Sequence, residues 1–195
     1  MTQDVLAGPL GLIVEGPCER DAIPALLEPR GIRFARPASL NGQMTGSDLS
    51  SFVTKQVVPV AQALLAAKSV RALFVVFDRE KRAESAAEIE AVAEVILRAE
   101  IGHNPPIYVA VADCTFENWL LTDPKHINRH SLVRKPVPTY ASVDGKDALA
   151  LLKGAIWPLG YVKTRHGPAL AAVVDTADSA VTNRSASLKR FVNRV

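Results

Sequence analysis

The stretch Ala72-Leu73-Phe74-Val75-Val76-Phe77-Asp78-Arg79-Glu80-Lys81-Arg82 decides the fold class. Six apolar residues, rich in β-branched and aromatic side chains, end abruptly in charge. A short, unbroken apolar run of this kind reads as a strand buried on both faces. Two similar runs flank it in sequence. Leu10-Gly11-Leu12-Ile13-Val14 precedes Glu15-Gly16-Pro17, and Ile107-Tyr108-Val109-Ala110-Val111 follows Pro105-Pro106. Gly31-Ile32-Arg33-Phe34 supplies a further short strand.

Helical patterns separate these strands. Residues 18–27 place Ala22, Ile23, Leu26 and Leu27 at helical spacing, with Pro24 acceptable only in a first turn. Residues 37–47, rich in Pro, Gly, Ser and Asn, read as a loop. Residues 49–67 form a long helical pattern that Pro59 kinks or divides. Residues 84–101 are amphipathic: Ile89, Val92, Ala93, Ile96 and Leu97 share a face, with Glu88, Glu90 and Glu94 mostly elsewhere. A short helix begins at Phe116 and ends near Pro124. The order through residue 123 is β-α-β-α-β-α-β-α, which specifies an α/β fold: a mostly parallel, Rossmann-like central sheet flanked by helices. Residues 124–195 read as a mainly helical extension, with helices over 146–152, 168–174 and 187–192, packed on the 1–123 core as one compact unit.

The 195 residues are enough to bury a core without disulfides or a structural metal. No stretch approaches ~18 uninterrupted apolar residues, so no membrane span is expected. Met1-Thr2-Gln3-Asp4 carries no basic n-region, and Cys18 and Cys114 form no CxxC. The expectation is a cytoplasmic protein with two reduced thiols. Charge is uneven: residues 1–123 carry 11 Lys/Arg against 16 Asp/Glu, and residues 124–195 carry 12 against 4. The acidic part suits a cation and the basic part a phosphate backbone, although a basic surface can also be merely solvated.

Ligands of open α/β sheets bind outside the carboxyl ends of the strands. Glu15, Asp78, Glu80, Asp113 and Glu117 all fall there. Neighbouring strands lie about 5 Å apart, so such carboxylates can converge on one hard cation, Mg2+ or Mn2+. Like-charge repulsion makes the cluster costly without one. Taken singly, each carboxylate is equally readable as a helix cap or a surface ion pair, and Glu19 and Asp21 as helix-dipole partners. Cys18, near a helix N-terminus, has no evident base beside it and reads as passive. Lys163, Arg165 and His166 form a compact cationic loop before Gly167-Pro168 that can steady a phosphate or face solvent. His126 and His130 share a helix face by spacing but lack a third metal ligand.

Leu12-Ile13-Val14-Glu15-Gly16-Pro17-Cys18-Glu19 and Phe74-Val75-Val76-Phe77-Asp78-Arg79-Glu80 resemble the two signature segments of the TOPRIM fold, found in topoisomerases, bacterial-type primases and OLD-family nucleases. Residues 113–123, with Phe116-Glu117-Asn118-Trp119-Leu120-Leu121, together with residues 161–168 and 187–191, resemble small stand-alone bacterial TOPRIM-like proteins of unknown function. The resemblance implies Glu15 as an acid/base or metal ligand, Asp78 and Glu80 as the metal-binding pair, Glu19 as an extra acidic position and Glu117 as a further ligand. The second member of the pair is Glu, where topoisomerases carry Asp.

The leading expectation is therefore a Mg2+-dependent, nuclease-like phosphodiesterase acting on nucleic acid, in phage defence or genome maintenance. The other is a non-catalytic TOPRIM-like binding module working with a separate ATPase partner, since no Walker A motif is present. A homodimer is compatible with both. A phosphatase reading ranks lower, because residues 75–80 resemble haloacid-dehalogenase enzymes only superficially.

Overall fold

The computed structural model describes residues 9–35, 37–40, 42, 44, 46, 48–67, 70–156 and 160–195. Four parallel strands, β1 (Gly11–Val14), β2 (Ala38–Ser39), β3 (Leu73–Asp78) and β4 (Ile107–Ala112), form a sheet of order β2-β1-β3-β4. The register pairs Val14 with Val76 and Asp78 with Ala112. The carboxyl ends of β1, β3 and β4 thus lie side by side.

Side chains alternate between two cores. Leu12, Val14, Phe74 and Val76 face α1 (Pro17–Leu27) and the C-terminal helices. Ile13, Val75, Phe77, Val109 and Val111 face the other side. There they meet α2 (Leu49–Phe52), α3 (Val58–Ala67) and α4 (Ala86–Ile101). The later helices are α5 (Glu117–Leu120), α6 (Pro124–Ile127), α7 (Ala148–Ala155), α8 (Lys163–Ala171), α9 (Ser179–Thr182) and α10 (Ala186–Val192).

Several local expectations change. Residues 31–34 contribute only an isolated bridge, Leu10 with Phe34, and the second strand lies at Ala38–Ser39, inside the expected loop. Pro24 sits well inside α1, which continues because its apolar side is fixed against the sheet and α8. Pro59 does not divide the 49–67 pattern. A π-helical turn, Val53–Val57, precedes it and reshapes the hydrogen-bond ladder where the proline ring would meet the Lys55 carbonyl. The resulting 19-residue run Leu49–Ala67 is long and apolar enough to cross a membrane by length and composition. Here it lays Phe52, Val53, Val57, Ala61 and Leu64 into the second core.

Glu90 and Glu94 are buried, not on the solvent face of α4. Their carboxylates accept the Val111 and Val109 N–H groups of edge strand β4. Arg190 binds Glu90 through two nitrogens, and Arg194 pairs with Glu94. The C-terminal helix is thereby clamped beside a covered sheet edge. Trp119 Nε1 donates to Ser187 Oγ at 2.9 Å, and its ring stacks on Phe191. Residues 163–166 are helical, not a loop: α8 starts at Lys163 and runs through Pro168.

Candidate active site

The site is built from the ends of β1, β3 and β4. Glu15 directly follows β1, and its two carboxylate oxygens accept the N–H of Asp78 at 2.9 Å and of Met44 at 2.6 Å. It ties β1 to β3 as well as placing a negative charge. Asp78, the last residue of β3, is buried, and its Oδ1 accepts the Phe116 N–H at 2.7 Å. Phe116 leads into α5, so the same turn that holds Asp78 delivers Glu117.

Glu117 is fully buried, and no backbone N–H donates to its carboxylate. The cation facing it is Lys163, with Nζ 3.4 Å from Oε2. Glu19, on the first turn of α1, is also buried, and its carboxylate lies so close over Gly16 that a Cβ there would stand 2.8 Å from Oε2. Gly16 thus leaves room for the acid that follows it.

The electrostatics are those of crowded, desolvated carboxylates. Burial raises the Asp78 carboxyl well above its ordinary range, and the charges of Glu19, Glu15 and Glu117 raise it further. Glu15 and Glu19 are also raised, first by burial, against the pull of backbone N–H groups. Lys163 loses some preference for its charge through burial. The carboxylates of Glu117, Asp78 and Glu19 outweigh that loss, and its pKa rises.

Beneath this cluster, burial and then the charges of Glu19 and Glu117 push the Cys18 thiol up to about 12. Its Sγ donates to the Lys163 carbonyl at 3.2 Å. The buried Tyr161 hydroxyl lies against Glu117, and burial and that carboxylate hold its proton firmly. A Cβ on Gly167 would lie 2.6 Å from Cys18 Sγ and 3.1 Å from the Tyr161 hydroxyl. Gly167 is what allows α8 to approach α1 and bring Lys163 in.

The structure therefore brings together Glu15, Glu19, Asp78, Glu117 and Lys163. Glu80 stands at the rim, partly exposed, with a left-handed φ of 52° fixed by its N–H donating to the Cys114 carbonyl. Its charge still reaches Glu15. Asp113 is turned away into an ion pair with Arg79. The basic trio is split. Lys163 faces the acids and Arg165 is exposed. His166 is buried, accepts the Val162 N–H on Nδ1 and rests against Tyr161.

His126 and His130 do not share a helix face, because α6 ends at Ile127. His126 binds Asp123, and His130 accepts the Leu132 N–H. Sequence reasoning missed Tyr161 and the pairing of Lys163 with Glu117. The packing demand at Gly167, in a Lys-x-x-x-Gly spacing on one helix, was the available signal.

Among the described residues no three His, Cys, Asp or Glu side chains converge as a ready metal-binding group. In donor chemistry the cluster nevertheless fits a hard divalent cation. It offers carboxylate oxygens, those of Glu117 without a backbone N–H partner, and four acidic side chains beside the single ammonium of Lys163.

No family model matches the chain, and no curated protein matches it. Among solved structures it is similar to the C-terminal region of the Burkholderia pseudomallei OLD protein, with a TM-score of 0.48 and 19% identity over 95% of this chain and 96% of that one. It is also similar to the C-terminal region of the Xanthomonas campestris pv. campestris OLD protein, with a TM-score of 0.43 and 18% identity over 95% and 94%.

Proposed function

We propose that the acidic cluster is the site of a divalent-cation-dependent phosphodiesterase acting on nucleic acid. The observation that carries this reading is the burial of Asp78, at the end of β3, together with Glu117, on the turn after β4, where Lys163 is the one ammonium set against several carboxylates. Buried carboxylates are costly without a compensating cation, and one ammonium does not balance Glu15, Glu19, Asp78 and Glu117. Mg2+ or Mn2+, when bound, supplies charge stabilisation at a scissile phosphate and orients a water.

The protein's own residues do the rest. Asp78 and Glu117 would hold the cation, with Glu15 and Glu19 beside them and Glu80 at the open rim. Glu15 keeps β1 and β3 in register through the Asp78 N–H, so the donors stay in place. Lys163, partly exposed beside the acids, presents an ammonium to a non-bridging phosphate oxygen. Tyr161, Cys18 and Gly167 pack closely together behind them.

A second reading is a non-catalytic nucleic-acid-binding module working with a separate ATPase. The contact that favours it is the Lys163–Glu117 ion pair, which partly neutralises the cluster without metal. A nuclease assay in Mg2+ or Mn2+, on single- and double-stranded DNA and RNA, separates the two. Cleavage by wild type that is lost in Asp78→Asn supports the phosphodiesterase. Cleavage of none of the four substrates supports the binding module.

A further inference from the structure

The acidic cluster opens at one side into a cleft of about 590 Å³, within the range of pockets that enclose small molecules. Glu80 and Lys163 belong to both. Beyond them the cleft is walled by Lys81, Cys114, Lys146 and Leu149. Its lining combines the apolar Ala148 and Leu149 with the lysines. We infer that this cleft receives one unpaired nucleotide of a single-stranded segment next to the phosphate held at the acidic cluster. This inference rests on the phosphodiesterase reading and adds strandedness to it.

The cleft is held open by specific contacts. The Asn118 amide, one residue after Glu117, donates to the carbonyls of Val143 at 2.6 Å and Lys146 at 3.0 Å. The helix turn that delivers Glu117 to the acidic cluster therefore also fixes the far wall. Cys114 and Gly145 both adopt left-handed backbone, with φ of 73° and 75°, which bends the two walls around the opening. The Lys146 ammonium lies 5.2 Å from the centre of the Tyr140 ring, a cation–π contact.

The chemistry of the lining selects among phosphate-bearing ligands. Lys81 and Lys146 line the cleft beside Glu80 and Asp147, and their ammonium groups can meet phosphate oxygens. The half-buried Leu149 offers an apolar contact to the face of a base. In a duplex that face is stacked inside and cannot reach the cleft. An unpaired base can leave its stack at little cost, lie against Leu149 and keep its flanking phosphates near the lysines.

The test is fluorescence anisotropy of the full chain with a fluorescein-labelled oligothymidylate and a blunt hairpin duplex of equal length. Ca2+ is present as a hard cation for the carboxylates. Wild type is expected to bind the oligothymidylate about ten-fold more tightly than the hairpin. Leu149→Glu and Lys146→Ala each reduce that preference. Both leave hairpin binding and the Mn2+-induced rise in melting temperature unchanged. Lys146 is exposed, so its replacement keeps the test valid if Leu149→Glu fails to fold. Equal binding of the two probes by wild type, or their joint loss in Lys146→Ala, overturns the cleft assignment and leaves the acidic site standing. Binding of neither probe overturns both.

Discussion

Replacing Lys163 with Met removes the cation that faces Glu117, Asp78 and Glu19 and keeps most of the side chain's volume. At 3.4 Å, with an effective dielectric of about 20, one Lys163–Glu117 charge pair is worth about 5 kcal/mol. The Lys163 side chain is 39% exposed, so water screens much of this, and a loss of about 1–3 kcal/mol near neutral pH is the realistic expectation. The loss depends on pH with a definite sign. Glu15, Glu19 and Asp78 have pKa values raised by folding, so the folded protein binds protons more readily than the unfolded chain. Their contribution is fully present below the ordinary carboxylate range and is lost as pH rises through the raised values. Acidification from neutral pH therefore relieves the crowding, and it does so more strongly once Lys163 is gone. Urea unfolding in EDTA, at neutral and mildly acid pH, measures both effects. The deficit of Lys163→Met is expected to shrink on the acid side. A deficit that is equal at both pH values, or that grows on acidification, refutes the picture of ionised acids balanced by this lysine.

In Asp78→Asn the Phe116 N–H keeps its acceptor while a buried charge disappears. The metal-free variant should match or exceed wild type in urea; Mn2+ at about one hundred times its dissociation constant should stabilise wild type by about 2.7 kcal/mol and the variant not at all. Gly167→Ala should destabilise the fold by about 1–3 kcal/mol by crowding Cys18, less up to about 1 kcal/mol of helix propensity, and Cys18→Ala in the same chain should recover part of the loss. Native thiol labelling at mildly alkaline pH should modify Cys114 first and spare Cys18, whose thiol is buried and pushed up to about 12; rapid labelling of Cys18 would contradict the packing of α1 on α8. Arg165→Ala, at an exposed position, should lower the slope of log affinity against log salt by about 0.7–0.9 if that side chain meets a phosphate, as titration of oligonucleotide binding against salt will show.

The unbroken apolar runs at β1, β3 and β4 were legible because a doubly covered parallel sheet leaves no polar position to obscure them. β2 was not, since two residues give no period and the pairing of Ala38 and Ser39 with β1 is set by the chain around them. Glu15 and Asp78 could be placed at the site because both sit at strand ends, where topology alone fixes their neighbourhood. The inward turn of Glu117 and the arrival of Lys163 depend on how α5 and α8 pack, which no local pattern encodes. Helical spacing likewise failed for Glu90 and Glu94. They look like solvent-facing acids until Arg190 and Arg194 at the C-terminal end and the open N–H groups of β4 are known.

Anomalous diffraction from crystals of the protein grown with Mn2+ tests the metal assignment most directly. The expected result is a Mn2+ peak among Asp78, Glu117 and Glu15, with the Lys163 ammonium displaced from Glu117. Cleavage of nucleic acid by wild type, with no Mn2+ at those carboxylates when the cation is saturating, would contradict the assignment of the acidic cluster as the catalytic metal site.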